Sequence, residues 1–429
     1  IFFVILRGNF IGMTITELQQ QYAAHPNMAV MKRLLKDTSV QTVFCGGLCA
    51  SAASLFSSVL VQEGGCPFVF ILGDLEEAGY FYHDLTQILG TERVLFFPSS
   101  FRRSIKYGQK DAANEILRTE VLSRLQKGEE GLCIVTYPDA LAEKVVSRKE
   151  LSNKTLKLNV GEKVFLADGH DHRHHAAGNV RLHSYGFECV DYVYEPGQYA
   201  VRGSIIDVFS FASEYPYRID FFGDEVESVR TFEVESQLSR EKKDGVSIVP
   251  DLAVTGDVTT SFLDFIPKET TLAMRDFLWL RERIQVVHDE ALTPQAIAVQ
   301  EAEENGGITL EGKLIDGSEF TVRALDFRRL EFGNKPTGTP NASVTFNTSA
   351  QPIFHKNFDL VASSFKDYLE KGYSLYICSD SMKQTDRIKA IFEDRGDKIN
   401  FTPVERTIHE GFVDNTLRLC IFTDHQLFD

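Results

Sequence analysis

The sequence predicts an α/β protein with a smaller sheet-rich unit set into it and a further small α/β unit after it. Three observations carry that expectation. From residue 41 to about 141, short apolar runs rich in β-formers (TVFCG, PFVFIL, RVLFFP, LCIVTY) alternate with segments of helical period, the pattern of parallel α/β units. Between 142 and 239 aromatic and β-branched residues crowd into YAVRGSIIDVFSF and YPYRIDFFGDEVESVRTF. Beyond 343 the strand–helix–strand rhythm returns, and 429 residues suffice for about three domains, each with its own core.

Taken in order, Ile1 to Gly12 open with IFFVIL, too short for a signal-peptide core or a membrane span. Met13 reads as the start, followed by the helix-like MTITELQQQY, and 1–12 as an upstream extension. In DAANEILRTEVLSRLQKG, Ile116, Leu117, Val121, Leu122 and Leu125 form one helical stripe; Asp111 suits the N-cap and Gly128 the left-handed position past the end. Tyr217, Ile219 and Phe221 alternate with Arg218 and Asp220, and Gly223-Asp224 marks a hairpin turn with glycine first. From 240 to 343 a helical stretch (ALTPQAIAVQEAEENGG) precedes the turn-rich NKPTGTPNAS, which reads as a linker. SLYICSD and LRLCIFTD then read as strands around the helix MKQTDRIKAIFEDRG, with Asp380 near its start and Gly396 past its end.

The 61 acidic against 45 basic residues give a formal charge of −16, which excludes a surface that coats nucleic acid through general basicity. Arg102, Arg103 and Lys106 form a local basic strip that could touch phosphates. Cys45, Cys49, Cys66, Cys133, Cys189, Cys378 and Cys420 form no pair of Cys-x2-Cys elbows, so reduced thiols, a cytoplasmic address and no structural zinc are expected. With no transmembrane run and no long apolar edge, a monomer away from membranes is the expectation.

Three constellations bear on chemistry. After the first strand, Gly47, Ala52, Ala53 and Ser54 keep the spacing of a phosphate-binding loop, with alanines where its second glycine and its lysine would stand. Such a loop needs that glycine so that amides can close on phosphate, and the lysine to neutralise charge. The same residues also suit a helix packed closely on a sheet. Asp74 and Glu76 stand where carboxylates suit a helix start, and TDHQ (Thr423 to Gln426) follows a strand like a helicase acidic box but is inert without a phosphate loop. His170, Asp171, His172, His174 and His175 could capture a transition metal, or simply form a solvated loop; His83 and His288 read as helix-surface or packing residues. Finally, Arg202 precedes Gly203 in what reads as a strand, where glycine permits a bulge that re-aims a side chain. Arg202 with Tyr199 has the composition of an interface anchor, while pairing to Asp207 or Asp220 on a sheet face is the structural alternative.

The block EPGQYAVRGSIIDVFSF…YPYRIDFFGDEVESVRTFEVESQLS resembles bacterial transcription-repair coupling factors (Mfd) and, more distantly, the excision-repair helicase UvrB. FFPSSFRRSIKYGQKDAANEILRTEVLSRL and HEGFVDNTLRLCIFTD are similar to further segments of that family. The resemblance implies a degenerate P-loop, helicase-like and UvrB-like domain in two segments, 13–141 and 240–343, with an inserted UvrA-binding α+β domain at 142–239 and a small α/β domain at 344–429. It implies binding of UvrA through Arg202, the arginine before Gly203, to which the neighbouring Tyr199 is added here as a further contact. A second family arginine falls at Glu188, a reversal of charge, and 167–183 lacks the apolar period of the helix found there in the family.

The expected function is therefore non-catalytic. The chain reads as a recruitment module that brings excision repair to stalled RNA polymerase by binding UvrA, with no catalytic residue, cofactor or metal of its own. Polymerase and DNA would be engaged through domains outside it, and the UvrA surface would stay masked in a full-length relative until its motor engages DNA. The rival reading is a UvrB-like, nucleoside-triphosphate-dependent DNA-binding or helicase module, against which Ala52 and Ala53 stand.

Overall fold

Seven strands, all parallel, form the largest sheet of the computed structural model, which describes residues 12–100, 112–164, 182–252, 259–301, 310 and 312–427. Their spatial order is Ala342–Thr345, Thr42–Gly46, Arg328–Gly333, Thr271–Met274, Phe68–Ile71, Cys133–Thr136 and Val94–Phe96. Strands on either side of the sheet-rich region in sequence thus interleave in one sheet. The inner strands Phe68–Ile71, Cys133–Thr136 and Thr271–Met274 are buried throughout, as parallel strands covered on both faces require.

The helix Ala112–Gln126 buries Val121, Leu122 and Leu125, and Gly128 takes φ +73° beyond it; Asp111 lies outside the described residues. So do Arg102, Arg103, Lys106 and the histidine cluster 170–175.

Thr14 caps the helix Ile15–Ala23 in a reciprocal box with Glu17. Met13–Thr14 is a short strand paired with Thr402–Glu405, so the first described residues complete the sheet of the C-terminal unit. That six-stranded sheet runs Met13–Thr14, Thr402–Glu405, Ser374–Ser379, Leu419–Thr423, Phe412–Asp414, Thr348–Ala350.

The expected linker 334–343 differs in outcome. It delivers the chain to Ala342–Thr345, an edge strand of the seven-stranded sheet, and only Phe346 and Asn347 separate that strand from Thr348–Ala350 of the other sheet. Phe346 is buried against the rings of Phe56 and His25, and one apolar core contains Tyr376, Ile408 and Phe412 together with Val43, Phe56 and Leu330. The junction is packed.

The inserted unit is a meander ordered Ser239–Lys243, Glu225–Phe232, Tyr217–Phe222, Ile205–Val208, Gln198–Arg202 and Glu188–Cys189, antiparallel except for the last pair. Its sheet continues past residue 239 through Lys243, and Gly245–Ile248 pairs with Leu156–Asn159, so the sheet-rich unit extends beyond the expected boundary. Gly223, at φ +61°, sits in the two-residue connection between Tyr217–Phe222 and Glu225–Phe232.

Among the described residues no helix is long and apolar enough to cross a membrane, and no group of His, Cys, Asp and Glu is placed to hold a metal. The cysteines are free thiols, and burial raises those of Cys45, Cys133 and Cys378 far above the ordinary range.

Candidate functional site

Alternation along the inserted sheet decides which side chains face which way. Tyr199, Ile206, Val208, Ile219, Val226 and Val229 point into one apolar core. The opposite face carries Ala200, Asp207, Arg218 and Arg230 in register across four strands, with Arg202 one step along from Ala200. Val193, Phe209 and Phe232 cover part of that face.

Asp207 has no exposed surface and binds two guanidinium groups. Arg218 makes a two-point contact with it, Nε to Oδ1 at 2.8 Å and a terminal nitrogen to Oδ2 at 2.9 Å, and lies 4.5 Å over the Phe232 ring. It also donates to the Gln237 carbonyl at 3.1 Å. Its pKa is raised by the hydrogen bond to Asp207 and by that carboxylate's charge. Arg202 binds the same carboxylate from the other side, keeps 38% of its side chain exposed, and stacks 5.1 Å from the ring centre of Tyr192. Two guanidiniums on one carboxylate leave one net positive charge on an aromatic platform. Asp220 is engaged elsewhere, with Ser204 and Arg230.

Tyr192 and Tyr194 are 50% and 59% exposed. The Gln198 side chain accepts from the amides of Tyr194 and Glu195 and donates to the Glu195 carboxylate, fixing the segment that presents both rings. Leu238, 68% exposed, follows Gln237, whose amide reaches the Val193 carbonyl, so the two covering segments are tied together.

Gly203 forms no strand bulge. With Ser204 it makes the two-residue turn between Gln198–Arg202 and Ile205–Val208, at φ +64°, where glycine carries no steric penalty. Tyr199 is corrected as a contact: it is 1% exposed, its ring lies in the inner core, and burial pushes its hydroxyl up to about 12. Glu188 is exposed on the edge strand opposite Gln198, four residues and hence about 13 Å along the strand from Arg202, so the two make separate parts of the surface.

A second feature lies at the carboxyl ends of the parallel strands, where α/β sheets bind ligands. A cleft of about 690 Å³ is bordered by the loop 48–51, Asp74, Tyr80, Asp84, Arg275 and Glu410. Gly47 takes φ +80°, and a Cβ there would overlap the Phe346 carbonyl. Cys49 N–H donates to Thr348 Oγ1 (3.0 Å), whose hydroxyl donates to the Gly47 carbonyl (2.6 Å). Ser51 N–H donates to the Glu410 carbonyl (3.3 Å), and Ser51 Oγ accepts from Glu410 N–H (3.0 Å). Ala52 is fully buried and Ala53 packs against the core; Ser54 hydrogen-bonds Asp84. Asp74 caps the next helix by accepting from Glu77 N–H (2.9 Å). Carboxylates of Asp74, Glu76, Glu77 and Glu410 line the cleft, and its one lining guanidinium, Arg275, is paired to Glu77 at 2.8 Å.

Residues 169–253 match the family model described as the UvrB interaction domain. A transcription-repair-coupling factor of Bacillus subtilis is 32% identical over 204 residues, covering 48% of this chain and 16% of that protein. That of Escherichia coli is 28% identical over 203 residues, covering 47% and 16%. That of Staphylococcus aureus RF122 is 20% identical over 456 aligned residues, covering 89% of this chain and 38% of the relative. The chain thus spans well under half the length of these relatives. The inserted sheet, which coincides with the matching interaction domain, and the similarity that runs along most of the chain are what this chain shares with transcription-repair-coupling factors.

Proposed function

We propose that this chain is a recruitment module that binds UvrA through the Arg202 face of the inserted sheet and hydrolyses no nucleoside triphosphate. The observation that carries the reading is the exposed Arg202 guanidinium, stacked on Tyr192 and oriented by a fully buried carboxylate that it shares with Arg218. An arginine whose direction is set before binding, beside exposed tyrosines, is the composition of an interface hot spot and loses little rotamer entropy on association. Tyr192 takes the aromatic role expected of Tyr199. Engagement of RNA polymerase and DNA is assigned to the part of the family beyond the 38% of the Staphylococcus aureus relative aligned here.

The reading that no nucleotide is hydrolysed rests on three local facts. There is no lysine in the loop, two of its amides are already donated to Thr348 and Glu410, and carboxylates line the cleft where phosphates would sit. Incubation with ATP and magnesium should release phosphate only at background. Release that tracks the purified chain would favour the rival, UvrB-like module.

The test of recruitment is a calorimetric titration with purified UvrA. Saturable binding is expected, and Arg202→Ala, which leaves Arg218 on the Asp207 carboxylate, should weaken it by roughly tenfold or more while leaving the melting temperature within about 2 °C. A wild-type titration without heat or complex would end this reading.

A further inference from the structure

We propose that the loop after the first strand is an intramolecular dock: the loop amide and hydroxyl that in a nucleotide-binding α/β domain would face phosphates bind residues 409 and 410 of the C-terminal unit, which form one wall of the cleft.

Contacts from the loop and from the helix Leu75–Leu89 converge on these two residues. Ser51 exchanges a pair of hydrogen bonds with the backbone of Glu410, its amide donating and its hydroxyl accepting. Asp84, 2% exposed, accepts from His409 N–H at 2.7 Å through Oδ1 and also binds Ser51 and Ser54. The His409 imidazole lies flat on the Tyr80 ring, 3.5 Å between centroids at 8°. From the other flank Thr348 grips Cys49 and Gly47. The docked segment is braced from its own side, where the His409 carbonyl meets His425 Nε2 at 2.9 Å and Gly411 N–H donates to Gln426 at 2.6 Å.

The geometry is that of a phosphate site with its ligand exchanged. An oriented amide at the start of a helix, which suits an anionic oxygen, here meets a peptide carbonyl, a neutral acceptor that needs no lysine. Loss of the second glycine and the lysine is then compatible with retaining the strand–loop–helix, because the loop's remaining work is to hold the C-terminal unit in one orientation. With Phe346 and Asn347 as the sole residues between the edge strands of the two sheets, this dock makes both α/β units move together.

Amide hydrogen exchange of the full chain, read over peptides covering 47–52 and 406–411, tests the dock. Wild type should protect both peptides. Asp84→Ala should speed exchange in both by about tenfold or more and leave peptides of the strands Phe68–Ile71 and Thr271–Met274 unchanged. Asp84→Asn, whose amide oxygen can still accept from His409 N–H, should keep protection within about threefold of wild type. Tyr80→Ser, at a position 42% exposed and therefore safe for folding, should speed exchange in 406–411 by about threefold. If Asp84→Ala loosens the whole sheet, Tyr80→Ser decides alone. Unchanged exchange of 406–411 in Tyr80→Ser, or in an otherwise intact Asp84→Ala, overturns the proposal.

Discussion

Asp207→Ala is expected to destabilise the inserted sheet by about 3 kcal/mol or more and to abolish with it the UvrA binding proposed above. The carboxylate has no exposed surface and supplies both Arg218 contacts and the Arg202 contact. Removing it leaves Arg218, whose side chain is only 15% exposed, with the Gln237 carbonyl as its remaining hydrogen-bond acceptor. Breaking a buried pair from one side costs about 3–5 kcal/mol; because Arg218 can tilt towards water, the lower end applies. Arg202→Ala removes a guanidinium that is 38% exposed, so stability should change by less than about 1 kcal/mol while UvrA affinity falls. Urea unfolding followed by Trp-independent far-ultraviolet dichroism, paired with UvrA titration, separates the two effects. An Asp207→Ala chain with an unchanged unfolding midpoint would mean that the double-arginine cluster does not organise this face.

Much of this sheet was legible in advance, and so was one error. The alternation of Tyr217, Ile219 and Phe221 with Arg218 and Asp220 is the alternation observed, and Gly223-Asp224 is the turn. The same period of two places Tyr199 and Arg202, three residues apart, on opposite faces of one strand, so proximity in sequence was the wrong guide to a shared surface. Tyr192 reaches Arg202 only because 190–197 fold back over the sheet, a consequence of Gln198 bonding and of the Gly197 turn that no periodicity reports. Non-local pairings were equally silent. Met13–Thr14 joins a strand 391 residues on by the register, Met13 facing Val404. In ASVT, four residues without strong apolar character become a parallel edge strand because Thr42–Gly46 offers its free side. That the loop 47–54 carries no lysine is plain in the sequence, whereas its hydrogen bonds to Glu410 depend on the packing of the C-terminal unit, Ser51 and Glu410 being separated by hundreds of residues.

Asp414→Ala should be at least as damaging to stability, because Asp414 joins the N-terminal helices to the C-terminal sheet. Fully buried, it accepts from the Tyr22 hydroxyl (3.1 Å) and the amides of Thr416 and Leu417 (2.9 and 2.8 Å), and it lies 3.7 Å from His25 Nε2. Alanine strands those donors in a dry interface, each worth about 1–3 kcal/mol before relaxation, so a loss of about 3–5 kcal/mol is expected. Asp414→Asn keeps one oxygen for the two amides but turns an N–H towards His25, and should cost about 1–2 kcal/mol. His25 gives the same interface a pH dependence. Its Nδ1 accepts from Asn27 N–H to cap the helix Pro26–Lys36, and burial lowers its pKa below the ordinary 6.5 despite the opposing pull of Asp414. A depressed histidine favours the folded state fully above the unfolded value near 6.5; that contribution is lost as pH falls through the lower folded value, because the unfolded chain takes the proton first. The urea midpoint should therefore drop between pH 7.5 and 5.5, and His25→Asn, which retains a capping side chain, should reduce that drop. In Asp414→Ala the pull that favours the imidazolium is gone, so the acid loss should steepen. A flatter acid limb in that variant would reverse the sign argued here and point to a His25 that is already protonated in the folded chain.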